Sequence, residues 1–315
     1  MIQPPSFVFL WICRFIRLCR HLALEKCPPF PSVSFRFVGI RQKRYISIFI
    51  PNFLHMKLNF TLEDVIAIVR QASGIMSENS FSVSSKDGYA NIVTSCDLAI
   101  QSFLEDKLAK LAPGSGFLCE ENDEIKDGTD GLTWVIDPID GTANFSRGIA
   151  DCCISVALLE SGQPRMGLVY SPFKEELFQA ERGCGAYRNG KRISVSSRPF
   201  EDGLLCTAMS LYDKRYAEVC AKVIFDAYFR CNDVRRFGSC AMELCYLAAG
   251  QCDLFFEYRV QAWDYSAAYL ILTEAGGVLT GGRGENLSCD TPTMLVGANN
   301  GANHAQLLEI VSKYI

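Results

Sequence analysis

Histidine is nearly absent. The 315 residues contain only His21, His55 and His304. That count excludes a zinc site built from several imidazoles. A Ser-His-Asp or Cys-His hydrolase would have to run on His304, because the other two precede the part of the chain that reads as folded. No C-x-x-C occurs among the fifteen cysteines, and Cys152 and Cys153 are adjacent, which suits neither a zinc knuckle nor a disulfide ladder. No uncharged apolar run reaches the ~18 residues that a spanning helix needs. Basic charge is not in surplus: 31 Lys and Arg stand against 35 Asp and Glu, net −4, which gives no electrostatic reason for nucleic-acid binding. Any hydrolytic chemistry here has to run on carboxylates.

What is present supports a large core, with 49% apolar and 21% charged residues. The average hides a seam. Residues 1–55 carry eight Lys and Arg and one acid, leaving 23 basic and 34 acidic residues, net −11, for 56–315. An acidic protein that handles an anionic substrate needs local positive charge, and metal ions commonly supply it. The front segment is rich in Phe, Pro and Arg, lacks periodicity, and has its charges after its apolar run, the wrong order for a secretory signal. We expect 1–55 to be a poorly structured extension, with the folded part starting at Met56; an organelle transit peptide is the competing reading. A glycan on Asn144-Phe145-Ser146 would sit inside the candidate site below, so a reducing, cytoplasmic setting with buried thiols is expected.

From Asn59 the texture changes. Thr61-Leu62-Glu63-Asp64 reads as a capping box, followed by helical spacing of Leu62, Val65, Ile66, Val69, Ala72 and Met76. A second helix is expected over 97–111, with Phe103, Leu104, Leu108 and Leu111 facing inward. Strands are expected over 117–119, 132–136, 176–180, 185–187 and 192–195. A hairpin is expected over 152–159 and 165–170, turned at Ser161-Gly162, and Asn189-Gly190 marks a tight turn. Farther on, helices are expected over 216–230, 239–251, 264–275 and 304–314, with strands over 253–258 and 294–298. The pattern is mixed α/β (α+β). It divides into an N-terminal subdomain, 56–197, and a C-terminal one, 198–315.

The segment Trp134-Val135-Ile136-Asp137-Pro138-Ile139-Asp140-Gly141-Thr142-Ala143-Asn144-Phe145 carries the chemistry. A buried strand delivers Asp137, Pro138 ends regular pairing, and Asp140 returns three residues later. The Ile139 carbonyl is a natural third oxygen, and hard divalent cations such as Mg2+ favour such a set. Gly141 and Thr142 then fall at a turn whose amides suit a phosphate.

With this segment in place, the chain from about Thr61 to Ile315 resembles the inositol monophosphatase family of metal-dependent sugar phosphatases. Three more segments carry the likeness: Asn91-Ile92-Val93-Thr94-Ser95-Cys96-Asp97, Phe117-Leu118-Cys119-Glu120-Glu121, and Trp263-Asp264-Tyr265-Ser266-Ala267-Ala268 with Glu274-Ala275-Gly276-Gly277. The resemblance implies a layered αβαβα sandwich with a metal site between the two subdomains. It implies a first Mg2+ on Glu120, Asp137 and the Ile139 carbonyl, a second on Asp137, Asp140 and Asp264, and a weakly held third. Glu120 would orient or deprotonate the metal-activated water, beside a hydrogen-bonded pair of Asp97 and Thr142. Gly141 and Thr142 would bind phosphate, Lys86 would enter on a loop, Gly238, Ser239 and Cys240 would shape the alcohol pocket, and Glu257 would contact sugar hydroxyls. A homodimer is also expected, with no nucleic-acid or membrane partner.

Asn91, Cys119 and Asn122 depart from the family pattern next to these residues without replacing any of them, and Cys240 is bulkier than the Ala common there. They bear on the choice of sugar more than on the reaction. The expected activity is hydrolysis of inositol monophosphate or a similar small sugar phosphate to free polyol and phosphate. Within the same class, fructose 1,6-bisphosphate and a nucleotide 3′-phosphate are rival substrates, and Glu257 disfavours a second phosphate. A non-catalytic binding protein on the same scaffold is the rival from another class. Gly281-Gly282-Arg283-Gly284 reads as a glycine-rich turn and not as a nucleotide loop.

Overall fold

The computed structural model describes residues 58–77, 81–87, 91–122, 128, 131–209 and 213–315. The expectation for 1–55 lies outside them. Among the described residues no helix is long and apolar enough to cross a membrane.

Thr61 caps the first helix, α1 (Leu62–Ser73), with Asp64 returning the bond in the expected capping box. A hairpin follows, β1 (Val83–Asp87) and β2 (Asn91–Thr94), which leads directly into α2 (Ser95–Leu111). Seven strands then form one sheet in chain order: β3 (Gly116–Cys119), β4 (Leu132–Asp140), β5 (Cys153–Glu160), β6 (Gln163–Ser171), β7 (Glu176–Glu181), β8 (Ala186–Arg188) and β9 (Lys191–Arg192). Only β3 and β4 are parallel. A four-residue helix, α3 (Thr142–Phe145), follows β4. The expected strand over 192–195 is cut to Lys191–Arg192, because the Val195 amide turns to the Ala275 carbonyl instead of a strand partner.

The second sheet has the order β11-β10-β12-β14-β13, built from β10 (Leu204–Thr207), β11 (Asp233–Arg235), β12 (Leu254–Val260), β13 (Val278–Thr280) and β14 (Thr293–Ala298). Its helices are α4 (Ala217–Tyr228), α5 (Cys240–Ala248), α6 (Ala262–Glu274) and α7 (Gly301–Val311).

Strand alternation assigns each sheet two apolar faces. Trp134, Ile136, Val156 and Leu168 pack outward against Val65, Val69, Ile100, Leu104 and Leu108 of α1 and α2, while Phe103 and Leu111 are only half-buried. Val135, Ala157, Val169 and Phe178 point the other way, onto α5 and α6. From the second sheet Phe255, Leu279 and Leu295 meet the same two helices. Its far face, with Leu205, Leu254, Phe256 and Val296, is covered by α4 and α7. The order of layers is α1/α2, sheet, α5/α6, sheet, α4/α7, the expected αβαβα sandwich. The middle helix α6 is apolar on nearly all sides, as burial between two sheets requires.

Candidate active site

A β-bulge creates the centre of the site. Asp137 is paired with Ser155 and Asp140 with Cys153, so three steps along β4 match two along β5. In a regular strand residues three apart point to opposite faces; the extra residue returns Asp140 to the face of Asp137. Pro138 sits in the bulge, where its missing N–H costs no ladder bond. The Ile139 amide donates to Asp137 Oδ1 at 2.9 Å, fixing that carboxylate. Gly141 follows at φ 90°, and a Cβ there would stand 2.9 Å from the Asp151 carbonyl oxygen. The chain then enters α3.

Glu120 follows β3, the parallel neighbour of β4, and its amide bonds to the Ile136 carbonyl at 3.2 Å. Asp97 and Asp264 arrive by a device that the two share. Each is the third residue of a helix, and each closes a capping box with one carboxylate oxygen. Asp97 Oδ2 accepts from the Thr94 amide at 2.7 Å, and Asp264 Oδ2 from the Gln261 amide at 2.7 Å. Asp97 Oδ1 in turn accepts from the Thr142 hydroxyl at 3.4 Å, while that hydroxyl lies 3.0 Å from the Ile139 carbonyl oxygen. Asp140 Oδ2 is held by the N-terminus of α5, accepting from Ser239 Oγ at 2.7 Å and the Ala241 amide at 2.6 Å. The helix dipole favours negative charge at that end.

Asp140, Gly141, Thr142, Gly238, Ser239, Cys240, Glu257 and Asp264 line one cleft. Of the expected site residues, only the Lys86 side chain lies outside the described ones. The cleft also contains residues that the sequence reading missed: Ile92, Arg236 and Glu243. Thr94 was missed as well, although its position three residues before Asp97 is a capping signal.

The electrostatics are those of crowded acids. Burial pushes Asp137 well above the usual carboxylate range, and Glu120, Asp140 and Asp264 push the same way. Asp140 is raised by burial to about 6, held back by Ser239 and the Ala241 amide. Asp97 is also raised to about 6 by burial, against the two bonds from Thr94. Burial lifts Glu257 well above its ordinary value, with Glu243, Asp264 and Asp140 adding to the effect.

Among the described residues no three His, Cys, Asp or Glu side chains are already gathered into a metal-holding group. Asp140 and Asp264 each have one oxygen held by the protein, and Asp97 has both, Oδ2 by Thr94 and Oδ1 by Thr142. The donor set is nonetheless carboxylate and carbonyl oxygen with excess negative charge, which fits hard divalent cations.

The inositol monophosphatase family profile matches residues 57–315, and the chain belongs to that family. Membership supports a phosphatase on this scaffold. The Nus factor SuhB of Escherichia coli (strain K12) is 36% identical over 197 residues, 62% of this chain and 74% of that protein. The fructose-1,6-bisphosphatase/inositol-1-monophosphatase of Thermotoga maritima is 33% identical over 233 residues, 74% of this chain and 87% of that protein. A solved IMPase/NADP phosphatase complexed with Mg2+ and phosphate superposes with a TM-score of 0.67 at 25% identity, over 79% of this chain and 91% of that one.

Proposed function

We propose that the protein is a Mg2+-dependent phosphomonoesterase that hydrolyses inositol monophosphate, or a similar small sugar phosphate, to the free polyol and phosphate. The observation that supports this reading is that Glu120, Asp140 and Asp264 all act electrostatically on the buried Asp137, beside a cleft lined by Asp140 and Asp264 in a family member. Glu120, Asp137 and the Ile139 carbonyl would hold one cation, and Asp137, Asp140 and Asp264 a second. Bound cations of this kind neutralise phosphate charge and acidify a water.

The chain's own residues do the rest. Asp97 and Thr142 hold a hydroxyl–carboxylate pair beside the place where water must attack, and Glu120 takes its proton. The Gly141 and Thr142 amides receive the phosphate, with Lys86 as a further basic contact in this proposal. Gly238, Ser239 and Cys240 border the leaving alcohol, and Glu257 accepts from its hydroxyls. A carboxylate there repels a second phosphate, which favours a neutral polyol over a bisphosphate. The first four site acids come from 56–197, and Glu257 and Asp264 from 198–315; we read the site as lying between two such subdomains. A homodimer in the cytoplasm belongs to the same proposal. A non-catalytic paralogue would be expected to have lost a ligand, and every acid of the set is in place.

The test is phosphate release by the purified protein from inositol monophosphates, fructose 1,6-bisphosphate and a nucleotide 3′-phosphate, in Mg2+ and in EDTA. The expected result is the highest kcat/KM with an inositol monophosphate and no turnover in EDTA. Failure to release phosphate from any of them in Mg2+ would overturn the reading.

A further inference from the structure

Glu243 lies on α5, four residues after Ser239, and is only 1% exposed. Its Oε1 accepts two backbone bonds, from the Phe237 amide at 2.6 Å and the Gly238 amide at 3.0 Å. These amides belong to a tight turn in which Gly238 has φ 88°. Asn144 of α3 grips the same turn from the opposite side, its Nδ2 donating to the Phe237 carbonyl at 2.7 Å and to the Asp151 carbonyl at 2.7 Å. A Cβ on Gly238 would stand 3.0 Å from that Asn144 nitrogen. The turn is therefore clamped at both its N–H and its C=O groups.

The next residue is Ser239. Its Oγ accepts from the Met242 amide at 3.3 Å and donates to Asp140 Oδ2 at 2.7 Å. A hydroxyl has one hydrogen, and here Asp140 receives it. The placement of Ser239 follows from the turn before it, and the turn is held by Glu243.

We infer that Glu243 is a positioning residue for the cation site: by fixing the 237–239 turn it aims Ser239 at Asp140 and sets the orientation of that carboxylate. The inference rests on the proposed function, in which Asp140 is a cation ligand. Removing the Glu243 acceptor takes from the part-buried Phe237 and Gly238 amides their shared protein partner, and the turn loses the contact that fixes it from the α5 side. Asp140 Oδ2 then keeps the Ala241 amide but loses the Ser239 hydroxyl, and loss of such an outer partner typically weakens a metal site about 10–100-fold.

The experiment compares Glu243→Ala, Glu243→Gln and Ser239→Ala with the parent protein. Mn2+ binding is measured by calorimetry without substrate, beside kcat and KM for phosphate release. Glu243→Ala should weaken Mn2+ binding about 10–100-fold and lower kcat, with the substrate KM shifting much less. Gln retains an acceptor oxygen at the same reach, so Glu243→Gln should restore both to within about threefold. Ser239→Ala, which leaves the turn intact, should reproduce the Mn2+ defect, and it serves as the readout if Glu243→Ala does not fold. Wild-type Mn2+ affinity in Glu243→Ala, or in Ser239→Ala, would overturn the inference while leaving the proposed function standing. A Gln variant as defective as Ala would also overturn it. A parent protein that binds no Mn2+ would remove the cation reading itself, and the inference with it.

Discussion

Thr142 Oγ1 and Asp97 Oδ1 stand 3.4 Å apart, joining two residues 45 positions apart in the chain. The hydroxyl also reaches the Ile139 carbonyl at 3.0 Å, and its one hydrogen serves either acceptor. Thr142→Val keeps the shape and removes the hydrogen. In steady-state phosphate release it should lose on the order of 10²-fold in kcat with little change in KM, whereas Thr142→Ser should stay within about tenfold. A Val variant with parental kcat would take Thr142 out of the water-orienting pair.

Asp264→Asn and Asp137→Asn remove charge at nearly constant volume. Each should cost at least about 10²-fold in Mg2+-supported turnover. Their stability effect runs the other way in the absence of cations. Asp137 is held well above the usual carboxylate range, so its contribution to stability is present at low pH and is lost as pH rises through its folded-state pKa. The metal-free parent should therefore lose Tm between pH 5 and pH 8, and Asp137→Asn should lose less. Thermal scans in EDTA check this; identical slopes would mean that Asp137 is not the crowded group.

Glu257→Gln should act on choice more than on rate. Removing the charge leaves a hydroxyl partner but no repulsion toward a second anion. In a panel of sugar phosphates the preference for monophosphates of neutral polyols should narrow by about tenfold. An unchanged ranking would place Glu257 outside the sugar contact.

His304, on the first turn of α7, bonds to Thr280 Oγ1 at 2.9 Å, and burial pushes its pKa down despite a bond to the Val296 backbone. A lowered folded-state value means that its contribution to stability is present above about pH 6.5 and is lost as pH falls through the folded value. Between pH 7 and pH 5 the Tm of the parent should fall relative to that of His304→Gln measured under the same conditions. Parallel curves would show that His304 is not the group protonated on unfolding.

Asp137 and Asp140 stood out in the sequence because carboxylates beside Pro and Gly at a strand end have few structural uses in that order, whereas Asp264 came from the family resemblance. The α1 capping box and the Ser161-Gly162 turn were legible because local chemistry decides them. The same chemistry ran to Asp97 and Asp264, yet their capping boxes went unread, since the resemblance named them only as site acids. The strands β10, β11 and β13 carry too few residues for a period-2 pattern to emerge; their edges are chosen by pairing of β10 with β11 and β12 and of β13 with β14, contacts made between separate segments of the chain. Glu243 was hidden for a similar reason, because its importance comes from a turn that meets α3 only in three dimensions.

The bulged strand β4 also has a consequence for the order in which a ribosome releases the chain. Asp140 is synthesised 99 residues before Ser239, the partner that orients it, and Asp264 emerges later still. Until then the inner face of the seven-stranded sheet, with Val135, Ala157, Val169 and Phe178, has neither α5 nor α6 to cover it. A nascent chain halted in that interval exposes a sticky β surface, the kind of species that chaperones hold. The two helices that bury this surface are the ones that deliver Ser239 and Asp264. Escape from aggregation and completion of the acidic centre are thus the same folding event, and a truncated translation product gains neither.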